Sequence, residues 1–168
     1  FGLTSILADV AIWGSLTVLT ISISKIIFNA GSWGYGVMDG FYGVGALLST
    51  ITSGYIVSRM KKQNFLLTCF VTAGFTCIVA PILPTLWLAA FAYLIMGMTN
   101  NSARITVRTV MMSMVSNKIM GRVQTIFGMY TRLLVILSSL IAGYLVEHYS
   151  IFSGMVFSMG HFFAAAIV

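Results

Sequence analysis

Six stretches of mostly apolar residues, each cut off from the next by a short polar break, decide what this chain can fold into. They cover residues 3–27, 36–57, 65–83, 87–112, 123–145 and 151–168. About 20 apolar residues, wound as a helix, are enough to cross the hydrocarbon of a bilayer. Only 7% of the 168 residues are charged and 59% are hydrophobic, whereas a soluble domain carries about 25% charged residues. So few charges cannot cover a water-facing surface of this length. In lipid, backbone amides must be satisfied within the protein, and apolar segments of this length do so as helices. The expected fold is all-α, a polytopic membrane protein with six transmembrane helices in one bundle.

The breaks carry turn and charge chemistry. Asn29-Ala30-Gly31-Ser32 separates the first span from the second, and Arg59-Met60-Lys61-Lys62 the second from the third. Pro81 and Pro84 bracket the third turn, and Glu147-His148-Tyr149-Ser150 closes the fifth span. Arg59, Lys61 and Lys62 fall in the second connection; Arg104, Arg108, Lys118 and Arg122 fall at or near the fourth. Cationic connections stay on the cytoplasmic side of a membrane. The chain is therefore expected in a cell membrane, plasma or bacterial inner, with these two connections and both chain ends in the cytoplasm. Phe1 at the start and the apolar run Met155–Val168 at the end predict cuts through a longer polypeptide. The net charge of +6 does not predict nucleic acid as a partner, because these cations sit between spans and not on a solvated basic face. Cys69 and Cys77, eight residues apart on one helix, stand about 12 Å apart along its axis, too far for a disulfide.

Ionisable groups at hydrocarbon depth are costly and usually face a bundle interior or a wet cavity. On the first span, Asp9, Trp13, Thr17, Thr20 and Ser24 recur at steps of three and four, forming one polar face. On the fourth, Tyr93, Gly97, Asn100, Arg104 and Arg108 share a face, with Asn101 beside it. On the fifth, Thr125, Gly128, Arg132, Ser139 and Gly143 do the same. The third, apart from Thr68, Thr72 and Thr76, is apolar and is expected to face lipid. Asp9 with Arg132 or Arg104 reads either as a structural pair or as coupling groups. Asn100 and Asn101 read as cavity lining or as interhelical hydrogen-bonding groups. Arg108 suits a side chain reaching for headgroups, and Asp39 a helix cap. Gly36 with Gly40, and Gly45 with Ser49 and Ser53, are small residues four apart on the second span and predict close backbone approach there.

Two connections resemble a family. Gly54-Tyr-Ile-Val-Ser58-Arg59-Met-Lys61-Lys62-Gln is similar to the G-x-x-x-D-R-x-G-R-[RK] loop motif of the major facilitator superfamily, with Gly54, Arg59 and basic Lys62 matching. Ser58 stands in place of the acid and Lys61 in place of the second glycine, a decay usual in the second half of these transporters. Met114-Val-Ser-Asn117-Lys118-Ile-Met-Gly121-Arg122-Val123-Gln124 resembles the l-v-P-x-e-l-r-G-R-v-q stretch before the penultimate helix of drug and siderophore exporters. Gly143-Tyr-Leu-Val-Glu147 resembles the close of that helix. The resemblance implies helices seven to twelve of a twelve-helix transporter, whose first and fourth helices line the central cavity.

The expected function is that of a secondary transporter working by alternating access, with proton-coupled efflux of drug-like or other small amphipathic molecules. Asp9, Trp13, Thr17, Thr20, Tyr93, Asn100, Asn101, Arg104 and Arg132 would line the substrate and proton route. Gly54, Arg59, Lys62, Gly121 and Arg122 would form the cytoplasmic motifs. The implied partners are the lipid bilayer, an N-terminal half of the same polypeptide, a small-molecule substrate and protons. Uptake of a sugar or organic anion is the rival within transport; a receptor or assembly subunit is the rival outside it. An enzyme is not expected, nor a cofactor or metal, because the three acids and two histidines form no H-E-x-x-H or D-x-x-x-D pattern.

Overall fold

The computed structural model describes residues 2–167, without the side chains of Gly2, Leu3, Ser5, Asn117 and Lys118. One cation assigned to the basic connections, Lys118, therefore lies outside the described side chains, as does the last residue of the sixth expected span, Val168. Among the described residues the secondary structure is entirely helical. Helix α1 runs continuously through Gly2–Asp9, Val10–Leu16, Thr17–Ser22 and Ile23–Ile27, and its second and fourth pieces are π-helical. Then come α2 (Gly31–Arg59), α3 (Lys62–Val79, continued by a 3₁₀ turn at Ala80–Ile82), α4 (Leu86–Met114), α5 (Asn117–His148) and α6 (Ile151–Ile167). Each coincides with one expected span. Helices α2 and α5 run past their expected ends, because winding follows backbone hydrogen bonding and does not stop where apolar side chains do.

Four helical stretches are long and apolar enough to cross a membrane: Ile6–Ile27, Gly31–Arg59, Lys62–Ile82 and Ile119–His148. Helix α6 is apolar but has 17 residues, near the lower limit for a span. Helix α4 is long enough, and its run Thr99-Asn100-Asn101-Ser102-Ala103-Arg104 is what lowers its hydropathy.

Side-chain pairings fix the relative directions. Asp9 meets Arg104 while Thr20 meets Tyr93, so α1 and α4 are antiparallel. Trp33 packs on Trp87 and Ser49 bonds Asn101, so α2 and α4 are parallel. Ser15 bonds Ser158, and Leu19 lies against Gly154, so α6 opposes α1. Cys77 Sγ lies 3.5 Å from Met155 Sδ and Phe75 packs on Phe163, so α3 opposes α6. Gly14 faces Ser138, while Asp9 shares a cavity with Gly128 and Arg132, so α5 runs with α1. Helices therefore alternate in direction through the bundle. The basic connections at 60–61 and 115–116 lie at one end, with Arg59, Lys61, Lys62 and Arg122 exposed there.

The closest helix contact is between α2 and α4. Added Cβ atoms at Gly45 and Gly97 would overlap the carbonyl oxygens of Leu94 and Tyr42 respectively. On α2 the packed face comprises Gly34, Met38, Gly45, Ser49 and Ser53. Gly36 and Gly40 are not part of it and meet nothing within 4 Å. Of the two expected sets, Gly45, Ser49 and Ser53 lie on the packed face and Gly36 and Gly40 do not: two residues of an α-helix turn roughly 200°, so 36 and 40 point away from 34 and 38. Asp39 caps no helix end, because left-handed backbone at Asn29 (φ 50) and Gly31 (φ 54) turns the chain early and starts α2 eight residues before it.

Helix α3 has one exposed face, with Leu67, Phe75 and Val79 outward, and buries the other. Leu66, Cys69, Phe70, Ala73 and Cys77 are buried against the bundle. Its threonines lie off that face, Thr68 donating to Asn64 O (2.8 Å), Thr72 to Thr68 O (2.7 Å) and Thr76 to Thr72 O (3.0 Å). Satisfied by their own helix, such hydroxyls mark no polar interior face.

Candidate functional site

A cavity of about 690 Å³ lies between α1, α4 and α5. From Met120 to Val135 it follows α5 for about 22 Å, reaching from the basic end into the middle of the bundle. Asp9 and Trp13 enter from α1, Arg104, Arg108, Met111 and Met112 from α4, and Gln124, Phe127, Thr131 and Arg132 from α5. It is open on one side: Trp13 is 56% exposed, and Arg108, Gln124 and Arg132 are also exposed.

Its centre is an ion pair. Arg104 Nε lies 3.0 Å from Asp9 Oδ1, and the two side chains are 25% and 20% exposed. Asp9 Oδ1 is out of solvent contact, yet no donor is aligned on it. The contact is one of charges, short of a directed hydrogen bond, which leaves the carboxylate able to accept a better-placed donor. The Arg104 guanidinium also lies 5.8 Å from the centre of the Trp13 ring, within cation–π range. Asp9 is thus held by Arg104, not by Arg132, which lines the same cavity from the opposite wall.

The other expected site residues lie elsewhere. Thr20 Oγ1 and Tyr93 Oη are 2.8 Å apart and buried between α1 and α4. Asn100 Nδ2 donates to Tyr42 Oη (2.7 Å), and Asn101 Nδ2 donates to Ala46 O (2.9 Å) and Ser49 Oγ (2.7 Å). Both asparagines thus bind α4 to α2 and neither borders the cavity. Thr17 bonds back to Ile12 O (3.1 Å), and Ser24 to Gly31 O (2.6 Å). The α1 stripe is split because its π-helical stretch Val10–Leu16 shifts the phase between Asp9 and Thr20. The α4 stripe is split by its neighbours, α2 covering the Asn100 level and the cavity opening only at Arg104.

Gly54, Arg59, Lys62, Gly121 and Arg122 are all exposed at the basic end. No heavy atom lies within 4 Å of a Cβ added at Gly54 or Gly121. The Arg59 guanidinium sits 4.4 Å from the Tyr55 ring centre. Gln124, Phe127 and Thr131 also line the cavity without an expected site role, although steps of three and four link them to Gly128, Arg132 and Val135 on one face of α5. Met111, Met112 and Met120 line it too, and methionine carries no polarity signal by which sequence could place them there. Among the described residues no three His, Cys, Asp or Glu side chains group as metal ligands.

No family model matches this chain, and neither a curated protein nor a solved structure matches it.

Proposed function

We propose that the chain is one six-helix half of a secondary transporter of the major facilitator type, moving small amphipathic molecules by alternating access. The observation that carries this reading is the cavity between α1, α4 and α5, with the Asp9–Arg104 pair at its centre. A polar cavity reaching mid-bundle beside apolar helices is what a transport route needs, and a purely structural bundle has no use for it. The alternating helix directions and the gathering of exposed cations at one end support a multi-pass arrangement with that end in the cytoplasm. The cavity then opens towards the cytoplasm, and a second bundle covers its open side.

Asp9 is the proton-coupling group in this scheme. When ionised, its carboxylate holds Arg104; taking up a proton then releases the guanidinium to a substrate. A proton and a substrate that bind together travel the same way, so the Asp9–Arg104 pair favours uptake over the efflux that the loop resemblance at Gly54–Lys62 and Gly121–Arg122 implies. The test is flux of the full-length protein in liposomes under an imposed proton gradient. Substrate movement that collapses in Asp9→Asn supports the proposal. Gradient-independent behaviour, or flux unchanged in Asp9→Asn, refutes the coupling role. Cysteines placed at Arg59 and Arg122, in a background with Cys69→Ala and Cys77→Ala, should be labelled from the same side of the membrane.

A further inference from the structure

The chain contains three carboxylates, and the cavity uses one of them. Three guanidiniums, those of Arg104, Arg108 and Arg132, line the cavity with that single acid. Asp39 lies on α2, and Glu147 follows Arg132 on α5 by 15 residues, about 22 Å along the axis. Neither forms an ion pair with a cavity arginine among the described residues. The cavity therefore carries two positive charges that this chain does not neutralise.

Headgroup seeking accounts for Arg108, six residues from the end of α4. It does not account for Arg132, which lies at the middle of a 32-residue helix, far from either end. A cation at that depth is retained only with a partner or a wet passage. The wall around the guanidiniums is apolar and deformable: Met111, Met112, Met120, Phe127 and Trp13. Methionine packs against varied shapes, and guanidinium forks match the planar oxygens of carboxylate and phosphate. About 690 Å³ is within the range of small-molecule sites.

We propose that this cavity binds an amphipathic organic anion, its carboxylate or phosphate held by Arg104, Arg108 and Arg132 and its apolar body against the methionine wall. The assignment names the substrate class of the transport reading and rests on it for its purpose. Binding of the anion at Arg104 competes with Asp9, so a protonated Asp9 and a bound anion favour each other.

The test is calorimetric titration of the full-length protein in phosphatidylcholine nanodiscs with four probes of one shape: 2-naphthoate, 2-naphthyl phosphate, 2-naphthamide and 2-naphthylmethylammonium. The two anions should bind roughly tenfold or more tightly than the amide, and the ammonium least. Arg132→Gln should weaken the anions by a similar factor and leave the amide unchanged, and Arg132→Lys should restore part of the loss. Equal binding of amide and naphthoate, or tighter binding of the ammonium, overturns the proposal. Should Arg132→Gln fail to fold, the ranking on the unaltered protein still decides. Adding phosphatidylglycerol separates a soluble anion from a headgroup: retained naphthoate binding supports the proposal, and its abolition assigns the guanidiniums to lipid and overturns it. Correct ranking with no flux across liposomes refutes transport alone; flux of the neutral probe without the anions refutes the anion assignment alone.

Discussion

Replacing Gly97 or Gly45 by alanine should separate α2 from α4, and the structure sets the scale of the damage. A Cβ at Gly97 would overlap the Tyr42 carbonyl oxygen and stand 2.9 Å from its carbon and 3.0 Å from its Cα. At Gly45 it would overlap Leu94 O and lie 2.9 Å from both Leu94 C and Met98 N. Ordinary contact begins at 3.4 Å. The obstructing atoms are backbone, so no rotamer change relieves them and the helices must move apart by roughly an ångström. Overpacking of this kind costs about 1–3 kcal/mol. Separation also stretches the bonds from Asn100 to Tyr42 and from Asn101 to Ala46 and Ser49, each worth about 0.6 kcal/mol between membrane helices. Together these come to roughly 3–5 kcal/mol per substitution, or on the order of 6–20 °C in unfolding midpoint. Gly36→Ala and Gly143→Ala, which meet nothing within 4 Å, should instead gain up to about 1 kcal/mol of helix stability. The chain carries its own reporter. Cys69 and Cys77 are 5% and 1% exposed, so a thiol-reactive fluorophore stays dark until α3 leaves α4 and α6. Midpoints of Gly45→Ala or Gly97→Ala at or above the parent, or all four variants shifting the same way, would refute the close-approach argument.

The same thermal assay tests three polar contacts. Asn101→Ala, which loses two bonds to α2, should destabilise by roughly 1–2 kcal/mol. By contrast, Asn100→Leu combined with Tyr42→Phe should be close to neutral, because it removes both partners of one bond together with a buried Asn100 Oδ1 that has no donor; a loss as large as that of Asn101→Ala would contradict this. For Asp9 and Arg104, partly exposed at 20% and 25%, a double-mutant cycle with Asp9→Asn and Arg104→Gln should return a coupling of about 1–2 kcal/mol, between the values for exposed and buried pairs. A coupling near zero would mean that Arg104 is held by Trp13 alone.

Elements were more legible in the sequence than faces. Apolar length with polar breaks locates all six helices, since that signal depends on composition over some 20 residues and tolerates local irregularity. Facing depends on phase, and phase fails wherever the winding changes. Seven π-helical residues from Val10 to Leu16 are enough to send Thr20 to Tyr93 while Asp9 goes to the cavity. Phase also cannot say which neighbour covers a stripe. Tyr93, Asn100 and Arg104 do share a face of α4, but α1 takes the first, α2 the second, and only the third is left to the cavity. Of the nine residues expected to line a route, Asp9, Trp13, Arg104 and Arg132 border the cavity. These are the charged members and an aromatic one, the side chains that a neighbouring helix can least cheaply absorb.

That selection explains the composition of α4. Twelve of its residues are buried, Asn100 and Ala103 completely so. The small ones, among them Ala89, Ala90, Gly97, Ser102 and Ala103, admit neighbouring backbones, and the close approach brings carbonyl and hydroxyl partners within reach of Asn100 and Asn101. The polar run that lowers the hydropathy of α4 is therefore affordable because protein, not lipid, surrounds it. Past Asn101 burial continues at Ser102, Ala103, Thr106 and Val107, but the face that carries Arg104 and Arg108 is left uncovered, and those two enter the cavity and define the site.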